Sequence, residues 1–193
     1  MEVRKTGFFI EISFVFAAGC SVGWVIELIF RRFWSGSNKE RRWVNPGYLR
    51  GPWLPVYGFG LLSLYLLSEL SSFFAFGGIL PSIMLVLIMA VSATVVEYLS
   101  GIFSKRVLHV SLWDYSSEWG NLDGVICPKF SLFWLIISAS YYFLLHLPLR
   151  SIISSAKALP LAILILGVYL GLFFADVIIT GGLHERSKEL FGR

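Results

Sequence analysis

Charge is what this sequence has least of. Asp, Glu, Lys and Arg make up 15% of its 193 residues, where soluble domains carry about 25%, so there is too little charge to cover a water-soluble globule of this size. Cysteine is almost as scarce. Cys20 and Cys127 stand far apart, without the Cys-x-x-Cys spacing of a metal or redox site, so neither a disulfide framework nor a cysteine metal centre is indicated. Three catalytic signatures are missing: the Gly-x-x-x-x-Gly-Lys-Ser/Thr phosphate loop, His-Glu-x-x-His and Gly-x-Ser-x-Gly. The chain therefore cannot by itself be a nucleotide-driven pump of the usual kind, and no cofactor is expected. The formal net charge of +4 could suggest nucleic acid, but the basic residues flank apolar stretches, where membrane topology and anionic headgroups account for them. No nucleic-acid partner is expected.

What is present is apolar. Hydrophobic residues reach 56% and aromatics 17%, gathered in long blocks. A hydrocarbon core about 30 Å thick takes roughly 20 such residues per helix. Five blocks qualify: 7–30, 53–76, 79–103, 130–149 and 159–180. Lipid offers the backbone no partners, so each should be a helix. The expectation is an all-α, polytopic protein, a single membrane domain over 1–193 built as a bundle of five transmembrane helices in a lipid bilayer. The second and third blocks are separated by the turn Phe76-Gly77-Gly78, while the loops 31–52 and 104–129 are long.

With five spans, Arg31, Arg32, Lys39, Arg41, Arg42, Arg50, Lys105, Arg106, Lys129, Arg186, Lys188 and Arg193 fall on one side, and Arg4, Lys5, Arg150 and Lys157 on the other. The positive-inside rule then places both long loops and the C-terminus in the cytoplasm, with the N-terminus outside. A rival reading is a cleaved leader, because Arg4 and Lys5 precede an apolar run and Ala17-Ala18-Gly19-Cys20 resembles a lipoprotein cleavage site. Glu11 interrupts that run, and the run continues past Cys20 to Phe30 before the basic stop Arg31-Arg32. A full span is the better reading. Gly19-x-x-x-Gly23 and Gly167-x-x-x-Gly171 mark faces where helices can approach closely.

Five acidic residues lie inside these spans: Glu11, Glu27, Glu69, Glu97 and Asp176. Each costs roughly 2.5–3.5 kcal/mol on insertion scales and normally faces protein or water. Glu27, Glu97 and Asp176 fall at a similar depth, about 5–9 Å from the cytoplasmic helix ends; Glu11 and Glu69 fall toward the outer side. Two readings stand. Each inner carboxylate could pair with a nearby basic residue such as Arg31, Lys105 or Arg186, or the three could share a polar vestibule. A weak internal repeat favours sharing: Glu27-Leu-Ile-Phe-Arg-Arg is echoed from Glu97 to Arg106, and Asn45…Pro52 and Asn121…Pro128 both place Pro seven residues after Asn. A duplication of that kind would be parallel, about an axis along the membrane normal.

Neither long loop reads as a linker. From Trp43 to Gly60, Gly and Pro alternate with aromatics, and irregular backbone at membrane depth survives where protein or water covers it. A folded cap or re-entrant segment is expected, against the alternative of an aromatic belt of Trp43, Tyr48, Trp53 and Tyr57 at the interface. The second loop gathers Trp113, Asp114, Tyr115, Glu118, Asn121 and Asp123 near His109. Its Asp-x-x-x-Glu spacing is weak evidence for a metal, and Asn121 to Gly124 reads as an Asx turn, so no metal site is assigned.

The motifs Gly23-Trp24-x-x-Glu27, Asn45 to Gly60, Val96-Glu97-Tyr98 and Trp113-Asp114-Tyr115-Ser116 followed by Asn121-x-x-Gly124-x-Ile126-Cys127 resemble the bacterial ABC-transporter type IV family, the CmpB-like permeases. The likeness spans about Gly23 to Leu135; Pro46 stands where that family would have a basic residue. The resemblance implies an inner-membrane permease component, and it carries over no substrate and no catalytic residue. The leading expectation is a permease-like protein whose cytoplasmic vestibule is lined by Glu27, Arg50, Glu97, Asp114 and Asp176, with Asn45, Tyr57, Trp113, Tyr115, Asn121 and Asp123 as further candidates. A separate cytoplasmic ATPase subunit or an ion gradient would supply energy, and a second copy of the chain is a further candidate partner. Two alternatives belong to other classes: a membrane-embedded enzyme acting on a lipid or its headgroup, with Glu97 or Asp114 as general base and Arg50 as anion clamp, and a noncatalytic scaffold docking a cytoplasmic protein through the basic first loop.

Overall fold

The computed structural model describes residues 2–36, 38–73 and 78–191, and the side chains of 6–36, 38–71 and 78–182. Phe76 and Gly77 of the expected turn lie outside the described residues, as do the side chains of Arg4, Lys5, Arg186, Lys188 and Arg193. Every regular element among the described residues is helical: α1 (Glu2–Phe33), α2 (Pro55–Phe73), α3 (Ile79–Arg106), α4 (Pro128–Ser140), a π turn (Tyr141–Leu145), α5 (His146–Lys157) and α6 (Pro160–Phe191). Among the described residues, four stretches are long and apolar enough to cross a membrane: Thr6–Phe33, Ile79–Arg106, Pro128–Lys157 and Pro160–Gly182. With the side chains they turn outward, such as Ile83, Leu87, Val91, Val95 and Leu99 on α3, they make the chain a multi-pass membrane protein.

The expected count of five spans needs one correction. The segment read as a second span does form a helix, α2, described over Pro55–Phe73, but it is not among the four stretches long and apolar enough to cross a membrane. Gly58, Gly60, Ser63, Ser68, Ser71 and Glu69 interrupt its apolar residues.

The chain folds as two compact units, 1–58 with 159–193, and 59–158. In the first, α1 pairs with α6 around Cys20, Leu49, Trp53 and Phe173, with Phe16, Tyr48 and Tyr169 packed against them. Trp53 sets its ring edge-to-face on Tyr169 and Phe173, the geometry aromatic quadrupoles favour. Tyr169 Oη donates to the Ala17 carbonyl at 3.2 Å and meets Ser21 Oγ at 3.0 Å, stitching α6 to α1. The glycine motif of α1 is used here: a Cβ on Gly23 would overlap the Tyr57 side chain. The matching pair on α6 is not, since Gly167 and Gly171 face open space.

In the second unit α3 packs on α4. Its buried residues Val86, Met89, Ala90, Ala93, Glu97, Gly101 and Ser104 recur three and four apart, so one stripe of mostly small side chains faces the protein and the bulky remainder faces lipid. Pro128 opens α4 at its first turn, where a missing N–H costs nothing. The π turn has a similar origin. Pro148, early in α5, cannot donate to the carbonyl four residues back and its ring crowds it, so the helix widens by a residue over Tyr141–Leu145.

Candidate functional site

The residues singled out above fall into two constellations, one in each unit. In the first unit the loop after α1 turns back along the helix it has just left. The Leu54 amide donates to the Cys20 carbonyl at 3.1 Å, roughly 20 Å before the end of α1 at 1.5 Å per residue. The loop is therefore folded against its own helix, as its Gly, Pro and aromatic content suggested.

Asn45 is the node of this fold. Its Oδ1 accepts from the Trp24 indole at 2.9 Å and from the Gly47 amide at 3.2 Å, and its Nδ2 donates to the Leu49 and Arg50 carbonyls at 2.7 and 3.2 Å. Asp176 of α6 is the anchor. Its Oδ2 accepts from the Gly51 amide and the Trp53 indole, both at 2.8 Å, and its Oδ1 from Thr180 at 2.8 Å. Glu27 accepts from Arg31 Nε at 3.0 Å and from Tyr57 Oη at 3.2 Å. Of the two readings of this carboxylate, pairing with Arg31 is the contact present. Arg50 is exposed, and with Trp53, Leu172, Ala175 and Ile179 it rims an open groove of about 380 Å³ beside Asp176.

The second constellation is built on α3. Glu97 is 6% exposed and accepts from the Trp134 indole at 2.9 Å and Tyr115 Oη at 3.3 Å, two neutral donors. Tyr115 stacks on Phe130 with ring centroids 4.1 Å apart. Tyr98 donates to Asp123 Oδ2 at 2.7 Å, and Lys105 Nζ to the Asp123 carbonyl at 2.7 Å, so Lys105 is committed to the loop backbone. The Trp113 indole donates to the Val125 carbonyl at 2.8 Å, and both side chains rest against Gly101, where a Cβ would overlap Val125.

Asn121 plays the part that Asn45 plays in the first loop. It donates to the Ser116 and Glu118 carbonyls at 3.1 and 2.9 Å and accepts from the Gly124 amide at 3.1 Å. Asp114 Oδ1 accepts from the Ser116 amide at 2.9 Å. That backbone bond, with the Ser116 hydroxyl and the charge of Lys105 adding to it, holds the Asp114 carboxyl below the usual aspartate range. His109, Asp123, Gly120 and Gly124 adopt positive φ, which fixes the tight course of this loop.

Sequence reasoning missed Trp134 and Thr180. Both donate to carboxylates it had singled out, and both sit inside apolar spans where they read as ordinary helix residues. Trp24, Trp53 and Tyr98 carried the family resemblance without being assigned a contact; each donates to a loop residue or a loop anchor. No curated protein and no solved structure matches the chain. A family model does, over residues 14–181, and its description is "Putative ABC-transporter type IV". The match takes in both loops and all the residues that hold them, and the chain belongs to that family.

Proposed function

We propose that the protein is the permease-like membrane component of a transporter in the bacterial inner membrane, with its N-terminus outside, both long loops and the C-terminus in the cytoplasm, and a separate ATPase subunit as its energy source. The family match supports the transporter class. The observation that carries the reading is that neither loop hangs as a linker: each is folded around an Asn node and held by a helix carboxylate, Asp176 of α6 for the first and Glu97 of α3 for the second. A cap fixed in this way can transmit a push from a cytoplasmic motor to the helix beneath it, which a mobile linker cannot. Each unit then presents a polar end to the cytoplasm, Glu27, Arg50 and Asp176 in one and Glu97 and Asp114 in the other. The basic residues of the first loop, among them exposed Lys39 and Arg42, suit an acidic docking surface.

Lys39→Cys tests both topology and partnership, in a chain whose native cysteines are buried. In intact cells it should resist an impermeant maleimide, and a bifunctional cross-linker at that position should capture a nucleotide-binding subunit. Labelling from outside would invert the topology, and capture of proteins none of which binds ATP would leave the scaffold reading in its place. Double-mutant cycles of Arg50→Ala with Glu27→Gln and with Glu97→Gln ask whether these polar ends act as one vestibule. Additive effects in both would remove it.

A further inference from the structure

At the other end of the second unit lies a buried ionisable cluster that the transport reading does not use. His146, the first residue of α5, is 5% exposed. It lies about 18 Å along the same span from Trp134. Its Nδ1 is 3.0 Å from Tyr141 Oη, and its ring packs on those of Tyr65 and Tyr141. Its Nε2 points at Glu69 Oε1, 3.4 Å away. Arg150 Nε approaches the same oxygen at 3.3 Å. Neither approach is aligned as a hydrogen bond: His146 Nε2 and Glu69 Oε1 are both buried without such a partner. A buried imidazole nitrogen and carboxylate oxygen that face each other without an aligned hydrogen bond, inside a membrane span, are costly unless a ligand or a change of charge completes them.

From these contacts we infer that His146 and Glu69 form a proton-binding site within the membrane, with Tyr141 as its relay. The tautomer follows from the surroundings. Arg150 Nε, which can only donate, approaches Glu69 Oε1 at 3.3 Å, so that oxygen is an acceptor and Nε2 must carry the hydrogen that faces it, and in the neutral ring Nδ1 accepts from the Tyr141 hydroxyl. On the imidazole an incoming proton then has one place to go, Nδ1. It makes the ring an imidazolium, turns Nε2 toward Glu69 into an ion pair, and reverses the bond to Tyr141, whose hydroxyl becomes the acceptor. Tyr141 is 1% exposed and opens the π turn, so its displaced hydrogen must find a new acceptor within that turn. Such turns are common at functional sites because their backbone can re-register. The ionisable groups facing the imidazole are Glu69 and Tyr65 from α2, Tyr141 from the π turn and Arg150 from α5. Glu69 favours proton uptake and Arg150 opposes it.

The test is ¹⁵N NMR of the full chain in phosphatidylethanolamine/phosphatidylglycerol nanodiscs, with His109→Gln and His184→Gln so that His146 is the single labelled imidazole. The ring should be the Nε2–H tautomer at alkaline pH and become an imidazolium as pH falls. Glu69→Gln should weaken proton affinity about 10- to 1,000-fold, moving the midpoint down by roughly one to three pH units, the range for an opposite charge at this distance. Arg150→Gln, which removes a half-exposed group and spares the core, should move it up. A ring that stays neutral down to pH 5 overturns the site. So does a midpoint that neither variant moves; if Glu69→Gln does not fold, Arg150→Gln decides alone. Because the readout is the imidazole itself, its failure would leave the transport reading standing, and failure to find an ATPase would leave the proton site standing.

Discussion

The two loops solve one problem with different reach. Each is organised by an asparagine that donates twice to carbonyls and accepts from a glycine amide, Asn45 from Gly47 and Asn121 from Gly124. Asn45 bonds forward, to Leu49 and Arg50; Asn121 bonds backward, to Ser116 and Glu118. The second loop is largely its own scaffold, closed by the Tyr115 amide on the Gly124 carbonyl at 2.9 Å and set against the helix that precedes it. The first borrows its anchor from the far end of the chain, because Asp176 on α6 holds Gly51 and Trp53. Local closure can form early and independently, whereas the Asp176 anchor requires α6 to be in place first.

That contrast is broken most directly at Asp176. Asp176→Ala leaves the Gly51 amide, the Trp53 indole and Thr180 without their acceptor, and should destabilise the protein by about 3 kcal/mol, the cost of stranding several donors of a charged acceptor. Hydrogen exchange should localise the damage, with the Gly51 amide losing protection and the Tyr115 amide keeping its own. If both loops loosen together, their independence is wrong.

Glu97 should matter less, and its two substitutions should separate. Glu97→Gln keeps an acceptor for Trp134 or Tyr115 and should cost under about 1 kcal/mol, while Glu97→Leu takes the carboxylate acceptor from both and should cost about 2 kcal/mol. Unfolding titrations in mixed micelles measure the difference. Equal effects would mean that the negative charge, and not the acceptor geometry, is what the site requires.

The glycines sharpen the comparison of surfaces. Gly101→Ala places a methyl inside the van der Waals envelope of Val125 and close to Trp113, so it should push the second loop off α3 at about 1–3 kcal/mol. Gly167→Ala and Gly171→Ala meet nothing within 4 Å and should be neutral or slightly stabilising. A large loss at Gly167 or Gly171 would show that this face is covered in the assembled protein.

Much of this was legible because lipid simplifies the code. Long apolar blocks had to be helices, and four spans follow the predicted blocks closely. The helix read as the second span, α2, is not among the four that qualify, and its serines, glycines and Glu69 were read as tolerable within a long apolar window. The loops announced their order through Gly, Pro, Asn and aromatics, and a turn at Asn121 was one reading of its spacing, although the side-chain oxygen reaches the Gly124 amide three residues on and not two. Contacts between distant segments were not. Glu27, Glu97 and Asp176 stood out as intramembrane carboxylates, but nothing in their neighbourhoods said that indoles at Trp53 and Trp134 would satisfy two of them. His146 was invisible for a related reason. One histidine in an apolar run carries no pattern, and its partner Glu69 lies 77 residues earlier.

The smallest effect expected is at Asp114, and it tests the chemistry of the second node against the first. Both nodes fix a glycine amide with an asparagine oxygen, but the second carries a titratable carboxylate within the loop itself, where the first borrows Asp176 from α6. Asp114 is held below the ordinary aspartate value chiefly by the Ser116 amide. Its folded-state pKa therefore lies below the unfolded one of about 3.9, so the stabilisation it supplies is fully present above that value. It is lost as pH falls through the folded pKa. Nothing should change between pH 5 and 8. In acid, the Ser116 amide should shift with a midpoint under the ordinary aspartate value, and Asp114→Asn should abolish that titration. The Gly47 amide, whose acceptor is the uncharged Asn45 side chain, should not follow Asp114's titration. An NMR pH series reads both amides at once. A Ser116 midpoint at or above the ordinary value would mean that the carboxylate is not held by its amide, and that the second loop owes its shape to Asn121 and the packing on Gly101 alone.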